Sequence, residues 1–294
     1  MRQMEPTFLH APDGVPLAVY DWPLEAGAPG VPGVSARATV LIVHGMGEHA
    51  GRYAALAQRL NGWGCAVRAY DQYGHGRSGG PQGGLSRDGR LLDDLAQVLD
   101  ATRAGMPHGQ PLLLLGHSMG GLVAADFVAA GVRQVEGLVL SSPALALHLS
   151  AVQKALLASL PRLLPNLRVA NGVDAHDLSH DAAVVQVYLR DPLQHGRISA
   201  RMARYMAEGG ARVLASAGGW KVPTLLLWAG QDRVVDPAGS AALARLAPPA
   251  VLQAQCFDQA FHEIFNESEA LVAPVFARLQ QWLAQQFPQR LGGV

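Results

Sequence analysis

Gly116-His117-Ser118-Met119-Gly120 sets a serine between two glycines, after the run Leu112–Leu115 and before the apolar stretch Leu122–Ala125. A serine hydroxyl attacks a carbonyl carbon well only when a neighbouring base takes its proton. G-x-S-x-G on a strand-to-helix turn exposes such a hydroxyl, and its glycines let backbone approach closely. In a chain with 33 Gly the pentapeptide alone says little; the apolar run before it and the small-residue segment after it supply the context. The acid and the base should follow in the order Ser, Asp or Glu, His. Asp232 closes the apolar run that starts at Thr224, and His262 lies just beyond the run Val251–Phe257. Both positions are C-terminal strand ends, where open α/β sheets place their sites.

The competitors have other work to do. Asp236, directly before Pro237, suits a helix N-cap. Asp258 suits capping or orienting the loop that carries His262. His44 and His117 flank glycines at strand ends, where packed or hydrogen-bonded roles are expected, and His75 suits stabilising its own loop. His176, His180 and His195 are away from the expected position of the base. The histidines show no H-E-x-x-H spacing, so no metal site is expected. Acyl transfer also needs donors for the developing oxyanion. The backbone N–H of Met119, after the nucleophile, is one; Met46 N–H in HGMGEHAGRY is the other. Losing one such donor typically costs about 2.7–4 kcal/mol of barrier.

These residues need a frame. TFLHA and VPLAVYDW, separated by the turn signal Pro-Asp-Gly, suit strands. Ala38–Gly45 is apolar on both faces, as in a parallel strand covered by helices on each side. A helix is expected around Tyr53–Asn61, then the strand CAVRAYD and a glycine-rich loop. Leu91, Leu92, Leu95, Val98 and Leu99 mark a helix from Arg87 to about Ala104. PLLLLGHS, GLVAADFVAAG and GLVLSSP give strand, helix, strand. This alternation predicts an α/β domain with a mostly parallel sheet. It stops at Pro143. From Ala144 to about Gly218 the patterns are helical (Ser150–Leu164, Ala182–Tyr188, Ser199–Ala215), and an all-helical insertion is expected. Strand, helix, strand and helix then resume with TLLLWAGQD, Ala238–Leu246, VLQAQCF and Leu271–Phe287.

The bulk numbers bound the function. Lys+Arg and Asp+Glu are both 23, which removes the electrostatic argument for a nucleic-acid partner. The 2 Cys, Cys65 and Cys256, sit far apart in apolar runs and are expected as buried free thiols. The N-terminal stretch MRQMEPTFLHAPDG has no apolar signal-type core, and no apolar run is long enough to span a bilayer. A cytoplasmic location is the expectation.

HGMGEHAGRY, YDQYGHGRSGG, GHSMGG, LPNL, VYLRDPL, GQDRVVDP and FHEIFNE together resemble the monoacylglycerol lipase and lysophospholipase-like branch of the α/β-hydrolases, which serine aminopeptidase-like members share. The resemblance runs from about residue 15 to the end. It implies an α/β-hydrolase core, 1–143 and 218–294, with a mostly parallel eight-stranded sheet and helices on both faces. It implies a mobile helical cap over 144–217. It implies a triad of Ser118, Asp232 and His262 with Met46 and Met119 as oxyanion donors and no cofactor. The implied substrate is a small acyl ester such as a monoacylglycerol, its chain in an apolar tunnel under the cap. Glu48, Arg52 and Tyr188 match positions associated with the polar end. Two departures stand out: a histidine found in mammalian members shortly after the catalytic one is Phe265 here, and a cysteine near their catalytic acid is Val235.

The cap has a pattern of its own. Leu149, Val152, Leu156, Leu157, Leu160, Leu163 and Leu164 form an apolar stripe suited to core packing and to lining an acyl-chain site. Lys154 and Arg162 add little basic character, so contact with a membrane surface would be transient.

Overall fold

In the computed structural model, residues 5–24 and 36–288 are described; within the helix Ala151–Leu163 the side chains at 151, 152, 154–156 and 158 are not. The strands are β1 (Thr7–His10), β2 (Pro16–Trp22), β3 (Ala38–Val43), β4 (Cys65–Tyr70), β5 (Leu112–His117), β6 (Gly137–Ser141), β7 (Arg168–Ala170), β8 (Arg197–Ser199), β9 (Thr224–Ala229) and β10 (Leu252–Phe257). The helices are α1 (Ala54–Gly62), α2 (Arg90–Ala104), α3 (Met119–Ala129), α4 (Ala151–Leu163), α5 (Ala182–Arg190), α6 (Ala200–Ser216), α7 (Pro237–Leu246) and α8 (Glu269–Gln286). Eight strands form one sheet in the order β1-β2-β4-β3-β5-β6-β9-β10. β1 and β2 run antiparallel to their neighbours, and the rest are parallel.

The apolar runs of β3 and β5 are buried because both faces of the sheet are covered. In β5, Leu112 and Leu114 enter the layer shared with α2, α3 and α6, while Leu113 and Leu115 enter the layer shared with α1 and α8. This alternation is the two-residue repeat of a strand. α3 is buried from Met119 to Phe127, as its nearly all-apolar sequence requires.

Three expectations are corrected. The insertion between β6 and β9 is not all helical: β7 and β8 pair antiparallel within it, three residues each. Strands this short, with β7 exposed throughout, carry no readable alternation. Of the expected stripe on α4, Leu157 and Leu160 face inward over a cavity, but Leu163 and Leu164 are 77% and 54% exposed. The side chains of Val152, Lys154 and Leu156 lie outside those described. Cys65 is buried and free, whereas Cys256, also free, is half-buried because β10 is an edge strand.

Candidate active site

The turn between β5 and α3 holds Ser118 at φ 54°, ψ −122°, outside the regions open to an unstrained L-residue. The strain persists because its surroundings leave no alternative. Ser118 N–H donates to Ser141 O at 3.0 Å, and its carbonyl accepts from Leu122 and Ala144. A Cβ on Gly116 would lie 2.4 Å from Gly120 O, and one on Gly120 would lie 2.0 Å from Val43 O. Both positions exclude any side chain.

Asp232 and His262 meet from separate loops after β9 and β10. Asp232 Oδ2 lies 2.7 Å from His262 Nδ1. Asp232 Oδ1 accepts the N–H groups of Val234 and Val235, both at 2.9 Å. The carboxylate is thus oriented, and with the proton on Nδ1 the His262 Nε2 lone pair is left for base work. Burial disfavours charge on both groups, yet each one's charge and their shared hydrogen bond prevail: Asp232 is held below the usual carboxylate range and His262 is raised above the usual imidazole value. The His117 ring packs 4.8 Å from that of His262. Burial, aided by the neighbouring His262, pushes His117 down to about 4, so it stays neutral. Its Nδ1 lies 3.1 Å from Ser141 O and Oγ.

A cavity of about 440 Å³ brings the expected residues together: Ser118, His262, Met46, Glu48 and Tyr188 all line it. Leu147, Leu149, Leu157, Leu160, Ile198 and Met206 supply much of its apolar wall. No hydrogen bond among the described residues joins Ser118 Oγ to His262, and none engages the N–H of Met46 or of Met119. Such contacts commonly tighten only when substrate is bound.

Arg52 does not reach the cavity. Its guanidinium is clamped between Glu48 and Glu263 and lies 5.1 Å from the centre of the Tyr188 ring. Burial opposes its charge, but the two carboxylates raise its pKa further. The same cation holds Glu48 below its usual value against the effect of burial. Burial pushes Tyr188 up to about 12.

Asp236 and the histidines at the strand ends and in the Gly-rich loop take structural roles, while no hydrogen bond among the described residues ties Asp258 to the loop of His262. Asp236 Oδ1 caps α7 through Ala238 N–H at 2.9 Å, and Asp258 is exposed. His44 and His75 bond to nearby backbone, and His195 contacts Gly74 O from the insertion. His180 pairs with Glu267 at 2.8 Å, and His176 is exposed. Glu263 is the site residue that the pattern of the sequence did not single out. Its signal was a carboxylate set between His262 and the apolar Ile264 and Phe265, where burial demands a cationic partner.

Sheet order, insertion and strained serine together define an α/β-hydrolase. The model of the family described as "Serine aminopeptidase, S33" matches residues 34–269, and the chain belongs to that family. It is 34% identical to a monoacylglycerol lipase of Mycolicibacterium smegmatis over 81% of this chain and 85% of that one. It is 33% identical to the human monoglyceride lipase over 85% and 83%. The crystal structure of Paleococcus ferrophilus monoacylglycerol lipase superposes with a TM-score of 0.78 at 31% identity, covering 92% of this chain and 99% of that one. A monoglyceride lipase variant from Saccharomyces cerevisiae shares the fold, with a TM-score of 0.85 at 23% identity over 97% of each chain.

Proposed function

We propose that the protein is a serine ester hydrolase that cleaves monoacylglycerols through an acyl-enzyme on Ser118. The observation that carries this is the Asp232–His262 pair, whose His262 lines the same cavity as Ser118 and Met46. Ser118 Oγ attacks the ester carbonyl while His262 Nε2 takes its proton. Asp232 holds the ring and stabilises its charged form. Met46 and Met119 N–H groups receive the oxyanion. His262 returns the proton to the departing glycerol oxygen, then activates the water that releases the fatty acid. Every step uses groups of this chain and water.

The apolar wall suits a medium or long acyl chain, and Glu48 and Tyr188 suit the polar end. Arg52 acts there through Glu48 rather than by contact. Residues 144–217 form the cap, with α4 its lid over the acyl chain. Leu163, Leu164, Val187 and Leu189, all more than half exposed, suit transient contact with a lipid surface.

A lysophospholipase would use the same groups. A peptidase of the same family would need a free carboxylate to hold an α-ammonium. Three of the carboxylates at this cavity are already neutralised by a cation, Glu48 and Glu263 by Arg52 and Asp177 by Arg233, which leaves the exposed Asp174, a helix cap through His176 N–H, as the one lining carboxylate without a cationic partner among the described residues. That favours an uncharged ester. Ser118→Ala should lower hydrolysis of monoacylglycerols and p-nitrophenyl esters at least a thousandfold, as roughly expected for loss of a nucleophile, with the thermal unfolding midpoint preserved. Near-wild-type turnover would refute the assignment. Faster cleavage of aminoacyl anilides or of lysophospholipids than of monoacylglycerols would move the enzyme to one of the alternatives.

A further inference from the structure

Glu263 has no part in the steps above, yet it is among the most tightly held groups of the site. It directly follows His262, and its side chain is 5% exposed. Arg52 donates to both of its oxygens, Nη1 at 2.6 Å and Nη2 at 2.7 Å. Arg52 Nη1 also donates to Glu48 Oε2 at 2.7 Å. Glu48 Oε1 in turn accepts Gly45 N–H at 2.6 Å and Tyr53 OH at 2.7 Å. An unbroken chain of charge-assisted hydrogen bonds therefore runs from the residue beside the base to the residue before Met46.

Gly45 is gripped from its other side too. Its carbonyl lies 2.7 Å from His44 Nδ1. Gln72 N–H donates to His44 Nε2 at 2.9 Å, which leaves the His44 proton on Nδ1 and makes the ring the donor to that carbonyl. A trans peptide is planar, so the Gly45 C=O and the Met46 N–H point in opposite directions. Fixing the carbonyl on His44 therefore turns the Met46 N–H away from that ring. Gly45 is also wedged at the nucleophile: a Cβ there would sit 3.1 Å from Ser118 Cβ and 2.9 Å from Glu48 Oε1.

Resting on the triad and oxyanion reading above, we propose that Glu263 is a positioning residue for the oxyanion donor. Through Arg52 and Glu48 it fixes the Gly45–Met46 peptide relative to His262, so that base and donor keep one geometry. Arg52 can serve because its planar fork holds both oxygens of Glu263 while also reaching Glu48; a lysine ammonium lacks that fixed fork. Glu263 also borders the cavity, and a direct grip on substrate is the rival role the test must separate.

The test uses Glu263→Gln, with Arg52→Lys as a second variant, in the full chain. Activity on a p-nitrophenyl ester is expressed per active site, counted by labelling Ser118 with a fluorophosphonate. An oxyanion donor acts in the transition state and not in the ground state. For each variant kcat should fall about 10- to 100-fold with KM changed less than about twofold. Glu263→Gln combined with Glu48→Gln should cost little more than the larger single change, since both break one chain. A raised KM with unchanged kcat would mean that Glu263 grips substrate and would overturn the proposal. Unchanged kcat per labelled site with a lowered unfolding midpoint would reduce Glu263 to a structural role and also overturn it. In both cases Ser118 would still be labelled, and the triad reading would stand. Absence of labelling in the unmutated protein would remove that reading and this proposal together.

Discussion

His262 carries two opposed influences. Burial favours its neutral ring, while the charge and hydrogen bond of Asp232 favour the cation, and the cation gains: the ring is raised above its ordinary 6.5. A general base works only when unprotonated, so kcat/KM should fall as pH drops through that raised value. The acid limb of the profile is expected to have its midpoint above 6.5. Asp232→Asn would remove the charge that raises it and should lower both the midpoint and the rate. A wild-type limb centred near 5 would show that the pair does not operate in this way. Ser118, Asp232 and His262 could be singled out as candidates in the sequence because each closes or follows an apolar run and chain order restricts the choice; the structure pairs Asp232 with His262 and sets Ser118 on the same cavity as His262. Glu263 could not be singled out. Its meaning depends on Arg52, 211 residues away in sequence, and no spacing rule links the two. Arg52 was legible as part of the site but not in its role, since nothing in the sequence tells a side chain facing a cavity from one clamped behind it.

At the scale of elements, the strand–turn–helix around Ser118 is held by what its glycines leave out. Gly120→Ala would drive a methyl group to 2.0 Å from Val43 O and 2.4 Å from His44 O, both backbone atoms at the end of a central strand. Neither can give way. A loss of about 3 kcal/mol is expected, at the upper end for overpacking, read as a lowered midpoint in thermal or urea unfolding. Gly218→Ala is the control: a methyl group added there would meet nothing within 4 Å, and its effect should stay within about 0.5 kcal/mol. The core strands were legible because burial on both faces gives unbroken apolar runs. The α3 and α8 segments were legible within one or two residues. The pair β7–β8 was not, because three exposed residues leave no periodic trace, and their partners stand on opposite sides of α5.

Over the whole molecule, histidine burial sets the response to acid. Burial pushes His44 down to about 3 and His117 down to about 4, and it depresses His75 and His195 as well. Below pH 6.5 the unfolded chain protonates these rings while the folded chain does not. Stability therefore falls with pH until the folded values are reached, by about 1.4 kcal/mol per unit for each fully buried ring. His262 acts in the opposite sense: its contribution is fully present below 6.5 and is lost as pH rises through its raised value. Four rings outweigh one, and the lowered Asp232 adds a loss of its own at still lower pH. Calorimetry should show the unfolding midpoint dropping between pH 7 and pH 5; a flat midpoint would contradict this balance.

The insertion is fastened unevenly. Leu178 O accepts Glu263 N–H at 2.8 Å, His195 N–H donates to Gly47 O at 2.9 Å, and His49 pairs with Asp191 at 2.8 Å. Pro165 and Leu167 carbonyls accept from Arg201 and Ala200 at the start of α6. Residues 165–199 are thus stitched to the loops that carry His262 and Met46 and to α6; none of the bonds just named falls on α4, which packs against α6. For chimera design, α4 can therefore be exchanged without cutting any of those named bonds, provided the graft keeps its packing on α6. A helix grafted between residues 150 and 164 would redraw the wall that Leu157 and Leu160 give the cavity and leave Ser118, Asp232 and His262 on their original supports. Transplanting the entire insertion would instead remove the bonds that Leu178, Asp191 and His195 make to the loops beside His262 and Met46.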